Sequence, residues 1–472
     1  MLFNSIAFLV FFPIVCLLYY GIPSSKIRLR NLLLLIASYY FYMNWKPVYA
    51  LLLLSSTVIT YLAGLGIGHF QEKNKKKACL VASIVLNLAI LFLFKYYNFL
   101  GSNIEAALQA CGLGIDIPEL GLLLPVGISF YTFQALGYSI DVYRGTADAE
   151  RHFPTYALFI SFFPQLSAGP IGRANSLLPQ FKTEHRFDFE NVKAGALMML
   201  WGYFLKLILA DRCDLYVDAV FNNVAMHNGG SYLLASLLFP FQIYGDFAGY
   251  SLIAIGVARV MGFRLMENFK RPYFACSVGE FWRRWHISLS TWFRDYVYIP
   301  LGGNRVGKLR NYFNLLVTFV VSGIWHGANW TFLCWGCLHG ILLCIEKAMG
   351  IGKKQYSGAR KALHWAVTFI LVSLAWIIFR ANSLSDAWTV ISGLFTNFGA
   401  PVVDFSMFTD ITLALVAIAI LLFKEVREEF SLFPRLSISG KPYATYAYII
   451  VMIAAILLFG VLGGDQFIYF QF

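Results

Sequence analysis

The sequence predicts an all-α, polytopic integral membrane protein with about 12 transmembrane helices plus re-entrant and interfacial helices, and three observations lead to that fold class. Hydrophobic residues make up 59% of the 472-residue chain. Charged residues make up only 13%, about half the share typical of a soluble domain, which is too little to cover the surface of a soluble particle. Long apolar runs recur, and helices satisfy their backbone hydrogen bonds internally in lipid.

An apolar run of about 17–25 residues has the length that spans a bilayer, and most of the twelve predicted runs fall in this range. In chain order the runs are Leu2–Tyr20, Asn31–Trp45, Val48–Gly68, Ala78–Leu100, Gly121–Tyr143, Ala194–Ala210, Tyr232–Val260, Asn311–Asn329, Thr331–Ala348, Leu363–Phe379, Ile411–Phe423 and Tyr443–Val461. No internal repeat and no soluble insertion separates them. We therefore expect residues 1–472 to form a single integral membrane domain.

The charges of the connecting loops predict the orientation of the chain. Lys26–Arg30 follows the first run and Lys73–Lys77 the third, whereas Glu105–Glu119 contains no Lys or Arg. Because basic loops stay in the cytoplasm, the N-terminus is predicted to be extracytoplasmic, and Arg264–Arg310 and Lys347–Lys361 cytoplasmic. The net charge of +12 thus indicates contact with membrane lipid, and no nucleic-acid partner is predicted.

One apolar segment, Phe153–Gly169, does not fit this orientation as a full span, because it would place the basic Arg264–Arg310 segment outside. Its Phe163–Pro170 portion would also interrupt a helix. We therefore predict a re-entrant segment, which is tolerated where the backbone faces protein or water.

A basic amphipathic helix is predicted to begin after Ser277, because Ser277 and Glu280 have the Ser-x-x-Glu spacing of a capping box. At about 100° per residue, Arg283 and Arg294 fall on a basic face and His286 on the opposite, aromatic face. Such a helix suits the cytoplasmic interface. From the pattern alone, His286 also fits a hydrogen-bonded buried histidine.

The next predicted helix carries a polar stripe on an otherwise apolar surface. Its members are Asn311, Asn314, Thr318, Ser322, His326 and Asn329, within roughly 120° of arc on a continuous helix. Such a stripe faces a wet cavity or forms hydrogen bonds with partner helices, and both alternatives stay open. Because an ionisable side chain inside a membrane is costly, we expect His326 to be functional and to lie in a hydrated passage.

No metal site is predicted. His339 lies 13 positions beyond His326, a rotation near roughly 220° on one continuous helix, so the two rings should point apart. Cys334 and Cys337 form a C-x-x-C in an apolar run without a second pair, which is typical of packing. Familiar zinc-hydrolase, serine-hydrolase and nucleotide-binding motifs are missing from the sequence, and no bound cofactor is expected.

Three stretches form a distinctive set: Glu280–Ser290, Trp292–Arg305 and Ser322–Trp330. Phe163–Pro170 and Gln242–Ser251 add weaker similarities. Together these stretches resemble the membrane-bound O-acyltransferase family, in particular the bacterial branch that contains the alginate O-acetylation subunit. The resemblance implies the helical membrane fold of that family.

The resemblance also implies site residues and a reaction. The near-invariant histidine of the family corresponds to His326, and a second polar position corresponds to His286. The implied reaction is acyl transfer from a cytoplasmic thioester, acetyl-CoA in this branch, to a hydroxyl acceptor. The acyl group would cross the bacterial inner membrane to an extracytoplasmic SGNH-type partner that modifies a polysaccharide.

The pattern of the residues fits this chemistry, because acyl transfer needs a base for the hydroxyl proton and a neutral imidazole suits that role. We predict His326 as the general base and His286 as a polarising or orienting group, although His286 could equally hold substrate or only pack. Further candidate substrate-binding residues are Thr318, Ser322, Trp325, Asn329, Arg283 and Arg294. The arginines could attract a phosphate-bearing donor or be ordinary cytoplasmic charge.

The leading hypothesis is therefore O-acetylation of an exported or cell-envelope polysaccharide such as alginate. Two alternatives stay open. The first is D-alanyl transfer to teichoic acid, and the second is a non-enzymatic transporter or flippase whose polar stripe lines a translocation path.

Overall fold

The fold is known from a computed structural model that describes residues 1–166, 169–353, 356–431 and 442–463, and helices make up its regular structure there. The chain divides into two compact units. One contains Met1–Gly195 and Ala254–Met266, and the other contains Ala196–Ile253 and Glu267–Phe472. This division does not test whether residues 1–472 form a single membrane domain, so the single domain stays a prediction.

Nine helices begin and end within the described part of the first unit. They are α1 (Ile6–Gly21), α2 (Ile27–Met43), α3 (Ala50–His69), α4 (Lys73–Lys95), α5 (Tyr97–Ala110), α6 (Ile128–Arg144), α7 (Phe153–Ser161), α8 (Phe163–Leu166) and α9 (Ala174–Leu177). Buried hydroxyl and amide groups link several of them. Ser56 Oγ donates to Asn87 Oδ1 at 2.6 Å, and the Ser83 and Ser139 hydroxyls lie 2.9 Å apart. Such bonds join helices inside a membrane where water is scarce.

The segment predicted to be re-entrant is broken and buried. Helix α7 ends at Ser161, Phe162 leaves helical geometry at φ −50° and ψ 108°, and α8 follows for a single turn. The Phe163 backbone N–H donates to Ser38 Oγ at 3.1 Å, so a side chain from α2 satisfies a donor that the break releases. Ser167 and Ala168 of this segment lie outside the described residues.

Two helices have residues in both units. The first, α10 (Phe189–Tyr203), continues as a π-helical segment, Phe204–Ala210, and then as α11 (Asp211–Phe221). The second, α12 (Gly229–Val260), is the longest helix in the described residues, and Pro240 lies inside it.

The remaining helices belong to the second unit. They are α13 (Val278–Arg284), α14 (Ile287–Phe293), α15 (Lys308–His326), α16 (Trp330–Met349), α17 (Gly358–Arg380), α18 (Leu384–Thr396), α19 (Phe405–Glu429) and α20 (Pro442–Phe459). A π-helical segment, Arg294–Tyr298, continues α14.

The membrane character of the chain is confirmed. Among the described residues, six helices are long and apolar enough to cross a bilayer: Pro47–His69, Lys73–Lys95, Phe189–Phe221, Trp330–Met349, Gly358–Arg380 and Phe405–Glu429. Two shorter apolar helices, Ile6–Gly21 and Tyr443–Phe459, accompany them. Each of the twelve predicted spans overlaps a helix, and their ends differ from the helix ends by several residues.

One helix that the sequence predicts to be continuous is interrupted in the structure. The predicted helix start is confirmed, because the Ser277 side chain accepts the Glu280 backbone N–H at 3.0 Å. The Glu280 carboxylate accepts the Cys276 backbone N–H at 2.9 Å rather than that of Ser277. The helix then ends at Arg284, and α14 begins only at Ile287. Between them His286 adopts a left-handed conformation, with φ 41° and ψ 56°. The single amphipathic helix predicted to begin after Ser277 is therefore two short helices joined by a sharp turn.

Candidate active site

The hairpin of α15 and α16 positions His326, and two glycines allow its helices to approach closely. A methyl group on Gly323 would lie 2.3 Å from the Phe332 carbonyl oxygen, and one on Gly336 would lie 2.4 Å from the Phe319 carbonyl oxygen. Such short separations leave no room for a side chain at either position. The close approach sets the end of α15, where His326 is the last helical residue, against the first turns of α16.

Aromatic rings enclose the His326 imidazole. Its ring centroid lies 5.0 Å from the Trp325 ring, 5.0 Å from the Trp335 ring and 5.4 Å from the Phe379 ring. The side chain is only 3% exposed. Edge-on aromatic contacts take up the space beside the ring, so the structure shows His326 buried among rings, and the hydrated passage stays a prediction.

His286 lies on the turn between α13 and α14 and is fully buried. Its ring contacts Phe247 of α12 at a centroid distance of 4.5 Å and Trp325 at 6.2 Å. Trp325 thus contacts both predicted catalytic histidines. Burial lowers the pKa of His286 well below its ordinary value, so this imidazole is neutral at physiological pH.

The polar stripe divides into two parts. Near its start, the Asn311 amide donates to the Gly303 carbonyl at 2.7 Å and to the Tyr298 hydroxyl at 2.9 Å, and the Asn314 amide donates to the same carbonyl at 3.2 Å. Gly303 presents that carbonyl from a left-handed conformation with φ 54°, which favours glycine. This end of the stripe therefore joins α15 to the preceding loop, whereas the hydrogen-bonding alternative expected bonds to partner helices.

The other end of the stripe lies nearer to His326. Thr318 Oγ1 donates to the Asn314 carbonyl of its own helix at 2.6 Å, and Ser322 is 4% exposed. Thr318, Ser322 and Trp325 are therefore buried on the same helix as the predicted base, which is where substrate-binding residues were expected. Their binding role stays a prediction.

Asn329 is not part of the stripe, because α15 ends at His326 and the backbone turns. Its side chain caps α16 by accepting the Thr331 backbone N–H at 3.0 Å, and its amide donates to the Asn382 carbonyl at 3.0 Å. The projection that grouped Asn329 with His326 assumed a continuous helix, and that assumption is wrong.

The two candidate arginines lie at the surface, whereas both predicted catalytic histidines are buried. Arg283 and Arg294 are exposed, and Arg294 Nε lies 2.8 Å from the neighbouring Asp295 carboxylate. Arg284, between them in the sequence, pairs instead with Glu280 at 2.7 Å and Glu429 at 2.9 Å. These positions fit surface charge as well as donor binding, so both alternatives for the arginines stay open.

His339 contacts two aromatic side chains, Trp282 and Trp335. The Trp282 indole N–H donates to His339 Nδ1 at 3.2 Å, and the His339 ring lies 4.9 Å from Trp335. Because α15 and α16 form a hairpin, His326 and His339 contact the same indole, an arrangement that projection on one helix could not predict. The described residues contain no group of three or more His, Cys, Asp or Glu side chains suited to a metal ion.

The motif Gln242–Ser251 on α12 connects the site to buried charge. Lys206 Nζ, in the π-helical segment, lies 2.8 Å from Asp211 and 2.7 Å from Asp246, and all three side chains are at most 5% exposed. Phe247, the next residue, contacts His286. Buried charges are costly unless they are paired, and this cluster joins the π-helical segment and α11 to α12 at the residue before Phe247.

Sequence reasoning missed Trp335, Phe379 and Phe247, whose rings surround the two histidines. No period or spacing distinguishes them from the many other aromatic residues of an apolar helix. The weak motif around Phe247 was the only signal that could have identified one of them.

Comparison with known proteins finds a matching family model and several similar proteins. Residues 149–385 match the model of the membrane-bound O-acyltransferase family. The chain is 45% identical to the probable alginate O-acetylase AlgI of Pseudomonas syringae pv. tomato, over 84% of this chain and 75% of that protein. It is 35% identical to the peptidoglycan O-acetyltransferase of Helicobacter pylori, over 84% and 80%. It is 32% identical to the teichoic acid D-alanyltransferase of Streptococcus thermophilus, over 57% and 70%.

Proposed function

Because this chain belongs to the membrane-bound O-acyltransferase family and is an O-acyltransferase, we propose that it O-acetylates an exported or cell-envelope polysaccharide, with acetyl-CoA as the donor. The relatives named for O-acetylation match more of the chain, at higher identity, than the relative named for D-alanyl transfer. Membership of an enzyme family also argues against a non-enzymatic transporter or flippase. D-Alanyl transfer to teichoic acid is the weaker enzymatic candidate.

The observation that carries the proposal is a buried imidazole, His326, inside a cluster of aromatic rings. In the proposed step the acceptor hydroxyl oxygen attacks the thioester carbonyl carbon. A C–O bond forms and the C–S bond breaks. His326 takes the hydroxyl proton and returns it to the leaving thiolate, so no other proton source is required.

The surrounding rings favour transfer over hydrolysis. Trp325, Trp335 and Phe379 occupy the space beside His326, and exclusion of water protects a reactive acyl donor from the wrong nucleophile. We assign His286 a polarising or orienting role, because its neutral ring shares the Trp325 contact with His326.

The proposed setting is the bacterial inner membrane, with the N-terminus outside and the donor in the cytoplasm. Polysaccharide O-acetylation outside the membrane then requires the acetyl group to cross it. We propose an extracytoplasmic SGNH-type acetyltransferase as the partner that receives the group. This assignment is tested by supplying purified protein, labelled acetyl-CoA and polysaccharide without any partner. Efficient labelling of the polysaccharide under those conditions would contradict an obligatory relay.

The proposed base is tested by His326→Ala in the full chain, with His339→Gln as the matched control. Both histidines are buried and contact Trp335, but only His326 is assigned chemistry. With polysaccharide and the SGNH-type partner present, we expect His326→Ala to reduce acetyl transfer from labelled acetyl-CoA by about 100-fold or more, at equal amounts of folded protein. We expect His339→Gln to retain most of the rate. Wild-type transfer by His326→Ala contradicts the assignment.

A further inference from the structure

His286 has an unusual backbone for a residue other than glycine. In the described residues only Arg271, His286 and Ser431 combine a side chain with a positive φ. At φ 41° the side chain crowds its own backbone, so the conformation persists only where neighbouring groups hold it. Neighbouring contacts must therefore determine where the His286 ring points.

Asn268 makes those contacts on the side of the turn that leads into α14. The Ile287 backbone N–H donates to the Asn268 carbonyl at 2.9 Å. The Asn268 side-chain oxygen accepts the Ser288 backbone N–H at 3.1 Å and the Ser288 hydroxyl at 2.9 Å. Asn268 thus receives three hydrogen bonds from the two residues that follow His286.

The same amide is attached to the helix that contacts the His286 ring. Asn268 Nδ2 donates to Ser251 Oγ on α12 at 3.2 Å, and Phe247, one turn earlier on α12, lies 4.5 Å from the His286 ring. Asn268 is 1% exposed, so water does not compete strongly for these bonds. Helix α12 therefore holds the imidazole directly through Phe247 and its backbone turn through Asn268.

We propose that Asn268 is a positioning residue that holds His286 in its left-handed turn and thereby fixes the imidazole between Phe247 and Trp325. The effect of Asn268 on catalysis rests on the proposed function, whereas its effect on the conformation of His286 does not. Asn268 lies outside the stretches that first indicated the site, and it acts through hydrogen bonds to the turn rather than through contact with substrate.

The conformational consequence is tested with diethylpyrocarbonate, which modifies accessible imidazole nitrogens, on the full-length protein in detergent micelles. His286 and His339 are both fully buried, so neither should react in the wild type. In Asn268→Ala we expect modification of His286, measured by peptide mass spectrometry, to rise severalfold while His339 stays unmodified. Absence of any rise at His286 overturns the proposal.

If both histidines become reactive, Asn268→Ala has disturbed the packing around both of them. Ser288→Ala then tests whether His286 can be exposed by itself. This variant removes one of the bonds to the Asn268 oxygen and retains the backbone N–H that makes another. A rise at His286 alone supports the proposal. Wild-type protection of His286, or equal exposure of His286 and His339, overturns it.

The catalytic consequence is tested by combining substitutions. In the wild-type background we expect Asn268→Ala to lower kcat for acetyl transfer roughly 10-fold or more, with a smaller change in KM for the thioester. In a His286→Ala background the same substitution should cause no further loss, because its effect passes through His286. Equal losses in both backgrounds overturn the proposal. Absence of acetyl transfer by the wild type when polysaccharide and the SGNH-type partner are both present contradicts the proposed function and leaves the labelling experiment intact.

Discussion

Gly327 follows the proposed base directly, and a side chain there would collide with an aromatic ring. A Cβ atom on Gly327 would lie 2.1 Å from the Phe332 ring, and Phe332 in turn contacts Phe379 at a centroid distance of 4.9 Å. A shift of Phe332 therefore passes to the ring beside His326. This close approach requires a glycine at position 327, directly after Trp325 and His326.

We expect Gly327→Ala to reduce acetyl transfer roughly 10- to 100-fold, because a displacement of about 1 Å in a reacting group has an effect of that size. The rate of labelled acetyl transfer measures it. Gly307→Ala is the control, since a methyl group there meets nothing within 4 Å. Equal rates for the two variants would show that the Phe332 contact does not control the site.

Phe379 provides a separate test of water exclusion at the site. We expect Phe379→Ala to admit water beside His326, so release of free thiol from acetyl-CoA should rise relative to acetyl transfer. Thiol release and acetyl incorporation are measured in the same sample. Phe369→Ala on the same helix is the control, because Phe369 contacts Tyr273 and Phe241. An unchanged ratio of thiol release to transfer would argue against this role for Phe379.

Among the elements, the α15–α16 hairpin combines predictable and unpredictable features. Hydropathy predicted both helices, since each must satisfy its own backbone in lipid. The break at Gly327–Asn329 was not predicted, because polar periodicity continues through it to Asn329. Similarly, the pattern after Ser277 predicted one amphipathic helix, whereas tertiary hydrogen bonds to the backbone of the turn stabilise a left-handed His286. Contacts distant in sequence decide both interruptions, and a single sequence does not reveal them.

Because α15 and α16 approach closely at Gly323 and Gly336, even an added methyl group should destabilise the hairpin. We expect Gly336→Ala to lower the free energy of unfolding by about 1–3 kcal/mol, the usual cost of overpacking, because its methyl group meets the Phe319 carbonyl oxygen at 2.4 Å. Thermal unfolding in detergent measures the change. Gly352→Ala has open space around its methyl group and should have little effect. Equal stabilities would contradict the close approach of α15 and α16.

For the molecule as a whole, the orientation in the membrane follows from loop charge and stays a prediction. The eight cysteines offer a test of it. Cys111, in the acidic loop predicted to be extracytoplasmic, is exposed, whereas the other seven are buried or half-buried. The exposed thiol should therefore report the side on which this loop lies.

We expect a membrane-impermeant maleimide to label Cys111 in intact spheroplasts, and Cys111→Ser to remove most of the label. In a Cys111→Ser background, Lys75→Cys places a thiol in a predicted cytoplasmic loop and should react only after permeabilisation. Gel electrophoresis with a fluorescent maleimide measures both. The reverse pattern would invert the proposed orientation.

The position of His326 as the final residue of a 19-residue helix has an electrostatic consequence. The aligned peptide dipoles of α15 place partial negative charge at that end, where a cation gains about 0.3–1 kcal/mol at an exposed site and up to about 2 kcal/mol in a partly buried one. In the proposed step, in which the ring accepts the acceptor's proton, the helix itself stabilises the imidazolium. The same dipoles would disfavour a thiolate that forms near this helix end and so favour return of the proton to sulfur.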